Sequence, residues 1–261
     1  MDKCGSIVYG NEQRMFVNTA LGCSAKCKYC YLPSLGFNIK PIYFSAQIAI
    51  NDVLKQPYFI PGKKGTIISI GCYSECWDDL NKNETIKIIE YFSELGNYVQ
   101  MATKKEISKE DLKLIDSMLK YDNQLGIYLS APSISNSNKL EPGTDTIDKR
   151  MNSLKFKSNV RKIYFVLYIK PVLRNITILD VDRYASIICD YDIKVVVGPL
   201  LELCKDKDFN IELVGEERLN EVTCYDNELL ISKLKKIGMI YTHSTDIVNE
   251  FRLSEVDDND F

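Results

Sequence analysis

Along the chain, short apolar runs alternate with longer segments in which apolar residues return every three or four positions, the pattern of strands followed by helices. Residues 14–21, with Met15, Phe16 and Val17, form the first run, and Ile48, Ala49, Val53 and Leu54 then mark one face of a helix over 45–54. After the break at Pro61-Gly62-Lys63-Lys64-Gly65, residues 66–71 make a continuous apolar run of the kind a strand covered on both faces requires. Ile86, Ile89 and Phe92 place a helix over 83–95, and residues 98–102 are the next strand. Ser108, followed three residues later by Asp111, caps a helix that carries Leu112, Ile115 and Leu119. Residues 125–130 and 162–169 read as strands around a helix near 146–154, and a helix over 181–188 precedes the very apolar strand 193–198. Past residue 200 the pattern weakens: 201–224 is polar and irregular, 227–237 is an amphipathic helix, and the acidic run 255–260 is expected to fray.

Strands alternating with helices predict an α/β fold with a parallel sheet, most simply an incomplete (β/α)6 TIM-type barrel. A chain of 261 residues suits a single domain, 1–261, with a core over 12–200 and a short C-terminal extension over 201–261. Such barrels take their reactive groups from the loops that follow the strands. The loop after the first strand is Gly22-Cys23-Ser24-Ala25-Lys26-Cys27-Lys28-Tyr29-Cys30-Tyr31. Its three thiols, at C-x3-C-x2-C spacing, can each hold one iron of a cubane cluster and leave the fourth iron open to an external chelator. A structural zinc site usually draws on a second Cys or His pair, and no C-x2-C or H-x3-H partner follows downstream.

Composition narrows the setting. No run of about 18 apolar residues occurs and the first residues lack the apolar core of a signal peptide, so a soluble, cytoplasmic protein without a membrane segment is expected. Nine cysteines, an odd count clustered rather than scattered, fit a reducing compartment and metal ligation better than a disulfide framework. The formal charge of -3 predicts no general affinity for phosphate backbones.

The cysteine loop resembles that of the radical S-adenosylmethionine (SAM) enzymes, and within them the chain is most similar to the spore photoproduct lyase or DNA repair photolyase-like branch. Four stretches carry the resemblance: residues 22–32, Ser69-Ile70-Gly71-Cys72-Tyr73-Ser74-Glu75, Ala102-Thr103-Lys104, and Glu141-Pro142-Gly143-Thr144 with Ile147-Asp148-Lys149-Arg150. It implies a 4Fe-4S cluster on Cys23, Cys27 and Cys30, SAM chelated to the open iron, and a 5'-deoxyadenosyl radical that takes a hydrogen atom from the substrate. It implies further that Tyr29 packs on the adenine, that Lys104 meets the SAM carboxylate, and that Ser74 and Ser130 touch SAM. Arg150 would orient SAM or the next strand. Cys72 falls where the lyase keeps the thiol that returns hydrogen to the product radical, and Tyr31 would work beside it. Each residue also has a plain structural role open to it: packing for Tyr29 and Tyr31, capping for the two serines, a solvated helix face for residues 148–150. Cys76 is a second thiol, an additional ligand or a small buried residue, Cys224 has no assigned role, and His243 reads as structural. The family's usual Gly-Gly-Glu segment is missing, which leaves the SAM amine to backbone carbonyls or Ser74.

Two function classes follow from the resemblance. In one, the enzyme repairs a thymine photoproduct in DNA, with SAM regenerated or consumed. In the other it modifies a peptide or small metabolite, which suits the acidic Glu216, Glu217, Glu221, Asp226 and Glu228, where a DNA-holding region would be basic and aromatic. An electron donor such as flavodoxin or ferredoxin is the expected partner in both, and a non-enzymatic iron-sulfur sensor is the third reading.

Overall fold

Within each long strand, alternate side chains turn to opposite faces, and the two faces are covered by different parts of the chain. The computed structural model describes residues 6–37, 40–203, 219–222 and 225–254. The strands are β1 (Val8–Gly10), β2 (Arg14–Val17), β3 (Ala20–Leu21), β4 (Ile42–Tyr43), β5 (Ile67–Ile70), β6 (Val99–Thr103), β7 (Leu125–Ser130), β8 (Ile163–Ile169), β9 (Lys194–Val197), β10 (Leu200–Leu203), β11 (Leu219–Val222) and β12 (Ile240–Tyr241). The helices are α1 (Ala46–Leu54), α2 (Lys82–Glu94), α3 (Lys109–Met118), α4 (Ser137–Leu140), α5 (Ile147–Asn152), α6 (Val181–Tyr191), α7 (Tyr225–Leu234) and α8 (Ser244–Ser254). The main sheet has eight strands in the order β1-β2-β5-β6-β7-β8-β9-β12. All neighbours are parallel except β1, which runs antiparallel to β2.

On one face, Met15, Val17, Ile68, Met101, Ile127, Phe165 and Val195 join Val53 of α1, Phe92 of α2, Ile115 of α3, Met151 of α5, Ile188 of α6 and Leu230 of α7 in one apolar core. The expected cap of α3 is present, with Ser108 Oγ accepting from Asp111 N at 3.1 Å. The other face carries a buried polar chain. Arg14 Nε donates to Ser69 Oγ at 2.7 Å, and Gln100 Nε2 donates to Tyr128 OH at 2.8 Å. Helix α8 closes this face from below, its Ile247 packing with Tyr128, Tyr164 and Val196, and its Val248 with Ile67 and Tyr98. The Ser244 carbonyl at its start accepts from both Gln100 Nε2 (2.8 Å) and Tyr128 OH (2.9 Å).

The structure corrects several expectations. The first run does not continue as one strand to residue 21: it leaves the sheet at Asn18, whose buried amide accepts from Tyr73 N at 2.8 Å, and Ala20–Leu21 turns to pair with Ile42–Tyr43. Six parallel strands become seven, because residues assigned to an extension supply β12 alongside β9, and α7 joins the helical layer. Residues 201–203 and 219–222, expected to be irregular, belong to β10 and β11, which pair antiparallel, an arrangement that needs backbone partners rather than a long apolar period. Among the described residues β1 and β12 are the edges of this mostly parallel sheet, which accords with the expected α/β fold. Residues 204–218, Cys4, Cys224 and the acidic run 255–260 lie outside the described residues, and with them Glu216 and Glu217. No helix among the described residues is long and apolar enough to cross a membrane.

Candidate functional site

The three-cysteine loop lies over the C-terminal ends of the parallel strands because its backbone is tied to the segments that follow β5 and β7. Gly22, at a φ of 98° that only glycine adopts freely, donates its N–H to the Tyr73 carbonyl at 3.0 Å. Lys28 N donates to the Leu140 carbonyl at 2.8 Å and Gly143 N to the Ala25 carbonyl at 3.0 Å. The second contact requires glycine, since a Cβ at position 143 would stand 2.7 Å from the Ala25 carbonyl oxygen. Cys23, Cys27 and Cys30 are all half-buried, and no disulfide joins them. Burial pushes all three thiols above their ordinary value, Cys27 up to about 11 despite the opposing field of Lys104. A metal must therefore displace protons here, so binding and proton release are linked. Among the described residues no three Cys, His, Asp or Glu side chains converge on one ion position. Thiolates that each bind a separate iron of a cubane stand further apart than ligands sharing one ion, and the mutual fields of the three thiols are felt across the loop.

Cys72 follows β5, just past Gly71, whose φ is 85° and whose added Cβ would meet Cys76 Cβ at 2.8 Å. That bend brings Cys72 beside the cysteine loop. It packs with Cys23, Cys30 and Tyr31 against the aromatic cluster of Tyr9, Phe16 and Tyr73, and Tyr31 OH donates to the Cys72 carbonyl at 2.7 Å. Cys72 is half-exposed, whereas Cys76 is fully buried in the main core, its thiol directed at the Ala102 carbonyl at 3.4 Å. Burial holds the Cys76 thiol far above its ordinary value, which favours its reading as a small buried residue.

Lys104 comes directly after β6. Burial pulls its ammonium down, but the fields of Glu141, Cys27 and Glu75 outweigh that and leave its pKa raised. Glu75, quoted in the sequence only as part of a motif, proves to be a brace between strand ends: it accepts from Thr103 Oγ1 (2.5 Å), Lys104 N (2.8 Å) and Trp77 N (3.0 Å). Ser74 Oγ accepts from Asn81 Nδ2 at 3.4 Å. Ser130, the last residue of β7, is 2% exposed and its hydroxyl has no hydrogen-bond partner. A buried hydroxyl left unsatisfied at the mouth of a sheet is a position where a ligand's polar group fits.

Arg150 does not lie on a solvated helix face, the plain structural role open to residues 148–150. It is wholly buried, and its guanidinium is committed to the Asp145 carbonyl (2.9 Å), the Ser130 carbonyl (2.7 Å), Thr144 Oγ1 (2.5 Å) and Glu141 Oε2 (2.7 Å). The other Glu141 oxygen accepts from Tyr29 OH, and burial next to that carboxylate drives the Tyr29 pKa far upward. Glu141, quoted in the sequence only as part of a motif, thus joins Tyr29 to Arg150. A lone acid between apolar Leu140 and Pro142, upstream of an arginine, was the available signal. His243 is exposed, and its carbonyl accepts from Asp246 N at 3.3 Å.

No family model and no curated protein sequence matches the chain. Solved structures match its fold. A spore photoproduct lyase variant superposes with a TM-score of 0.60 at 16% identity, over 86% of this chain and 75% of that one. Streptococcus suis SuiB superposes with a TM-score of 0.59 at 14% identity, over 90% of this chain and 50% of that one. SuiB bound to S-adenosylmethionine gives 0.58 at 14% identity, over 90% and 51%. The chain thus spans half the length of SuiB and three quarters of the lyase. It shares its fold with these structures.

Proposed function

We propose that the chain is a radical SAM enzyme that uses Cys72 as a hydrogen-atom donor. The observation that carries this reading is the tie between Tyr31 OH and the Cys72 carbonyl at 2.7 Å, which joins the three-thiol loop to the thiol at the next strand end. Cys23, Cys27 and Cys30 would hold three irons of a 4Fe-4S cluster. Lys104, raised in pKa by Glu141 and Glu75, suits the SAM carboxylate, and the unpartnered Ser130 hydroxyl suits a polar group of SAM. The Tyr29 ring is offered to the adenine, and Ser74, steadied by Asn81, to the SAM amine. When bound, cluster and SAM supply a 5'-deoxyadenosyl radical, with the electron delivered by a flavodoxin or ferredoxin.

The protein's own residues then govern the outcome. The Cys72 S–H bond is weak, and hydrogen passes from Sγ to a substrate carbon radical held close by. Tyr31, fixed on the same peptide unit, is placed to exchange hydrogen with the resulting thiyl. For substrate, the thiol–tyrosine pair supports a lyase-like act on a DNA photoproduct; the lyase has been solved with a dinucleoside spore photoproduct. The formal charge of -3 supports the second reading, a peptide, and SuiB has been solved with its precursor peptide SuiA.

The test is anaerobic reconstitution. One 4Fe-4S cluster per chain and reductive cleavage of SAM to 5'-deoxyadenosine and methionine are expected, and both are lost in Cys27→Ala. A Cys27→Ala protein with full cluster content and SAM cleavage would end the radical reading. Deuterium transfer into 5'-deoxyadenosine, followed separately with photoproduct-bearing DNA and with peptide, decides the substrate class.

A further inference from the structure

We infer that Glu141 and Arg150 form a buried strut that sets the position of the cysteine loop against the Ser130 end of β7. The inference rests on the radical SAM reading and goes beyond it: both side chains are engaged by protein partners, so both act as positioning residues. Their side chains are 1% and 0% exposed. A buried ion pair of this kind gives little net stability over apolar packing, because removing two charges from water costs about what their attraction returns. What it does provide is fixed geometry in several directions at once.

Those directions connect the two halves of the site. From Arg150, one guanidinium nitrogen reaches the Ser130 carbonyl at 2.7 Å, and another reaches Glu141 Oε2 at 2.7 Å. From Glu141, the remaining oxygen takes the hydroxyl of Tyr29, which lies between Cys27 and Cys30. Backbone bonds keep the same segment on the same loop, through Leu140 to Lys28 and through Gly143 to Ala25. Gripping the Ser130 carbonyl also anchors the backbone that carries its buried, unpartnered hydroxyl. A ligand that must touch both the cysteine loop and Ser130 binds tightly only while their spacing is held, so the strut acts on SAM affinity by preorganisation.

Tyr29→Phe keeps the ring and deletes only the bond to Glu141. Arg150→Lys keeps the charge but cannot span its four acceptors with one ammonium. In the full-length protein, before and after anaerobic reconstitution, hydrogen exchange over residues 24–31 should accelerate in both variants. The KM for SAM should rise roughly tenfold in both, as for the loss of one charge-assisted hydrogen bond, and in Arg150→Lys kcat for SAM cleavage should hold within about threefold. Because both changes cut one connection, the double variant should be no worse than Arg150→Lys alone. Multiplying effects in the double variant, or wild-type exchange and KM in Tyr29→Phe, would overturn the strut. If Arg150→Lys does not fold, Glu141→Gln takes its place in the same comparison. A wild-type protein that assembles no cluster and cleaves no SAM would instead sink the radical reading, and the metal-free exchange data keep the two failures apart.

Discussion

Replacing Cys72 with alanine separates chemistry from packing, because the structure sets the packing cost low. The side chain is half-exposed and lies at the edge of the Tyr9, Phe16 and Tyr73 cluster. Deleting its sulfur removes about as much apolar surface as one methylene, worth ~0.8 kcal/mol when fully buried and about half that here. The bond from Tyr31 is to the Cys72 carbonyl, so alanine keeps it. A loss of ~0.4–0.8 kcal/mol lowers Tm by about 1–3 °C in a domain of this size. Iron content, SAM cleavage and 5'-deoxyadenosine yield should therefore match the wild type. The substrate radical, however, loses its hydrogen source, and yield of the correct product should fall by about an order of magnitude or more while misquenched species accumulate. Chromatography of products from a single anaerobic turnover, alongside a melting curve, checks both halves. An unchanged product distribution with the expected small drop in Tm would show that Cys72 only fills space, and would retire its role as donor.

Three further outcomes are expected. Gly71→Ala forces a φ of 85° on a residue with a Cβ and drives it to 2.8 Å from Cys76 Cβ, so a loss of roughly 2–4 kcal/mol in urea unfolding is expected; a near-neutral result would mean the strand end relaxes freely. Burial disfavours the Asp180 carboxylate, but hydrogen bonds from Ser135, Ser133 and Ile134 outweigh this and hold its pKa below the ordinary 3.8. Its contribution is thus complete above that value and is lost as pH falls through the lower folded-state value, so Asp180→Asn should flatten the acid limb of the stability curve, and an identical acid limb would contradict the assignment. Undamaged duplex DNA should bind weakly with a shallow salt dependence, given the formal charge of -3, and tight, salt-steep binding by anisotropy would reverse the preference for an acidic surface.

The parts of the fold legible in the sequence were those whose burial leaves a local mark. Strands such as Ile67–Ile70 and Ile163–Ile169 are covered on both faces and so read as largely apolar runs, and Ser108 announces α3 by a contact three residues long. Strand Ile240–Tyr241 leaves no such mark, since two residues carry no period, and the apolar positions Ile247, Val248 and Phe251 of α8 are interleaved with Asp246, Glu250 and Arg252. In the site, cysteine spacing named the loop, and Cys72, Lys104 and Ser130 fall at three successive strand ends of the sheet. The pairing of Glu141 with Arg150 and Tyr29 was not legible, because it is made by the return of the chain over β7 and not by any neighbour in sequence.

The covering of the sheet by α8 has a consequence for how the molecule is made. Gln100 and Tyr128 are synthesised 144 and 116 residues before Ser244, whose carbonyl accepts from both. A nascent chain emerging from the ribosome can lay down every strand through Lys194–Val197, with Gln100, Tyr128 and Tyr164 bonded to one another, before the Ser244 carbonyl that Gln100 and Tyr128 share is made. The floor beneath the strand ends is therefore completed last, when Ile240–Tyr241 pairs with β9 and α8 follows it onto the sheet.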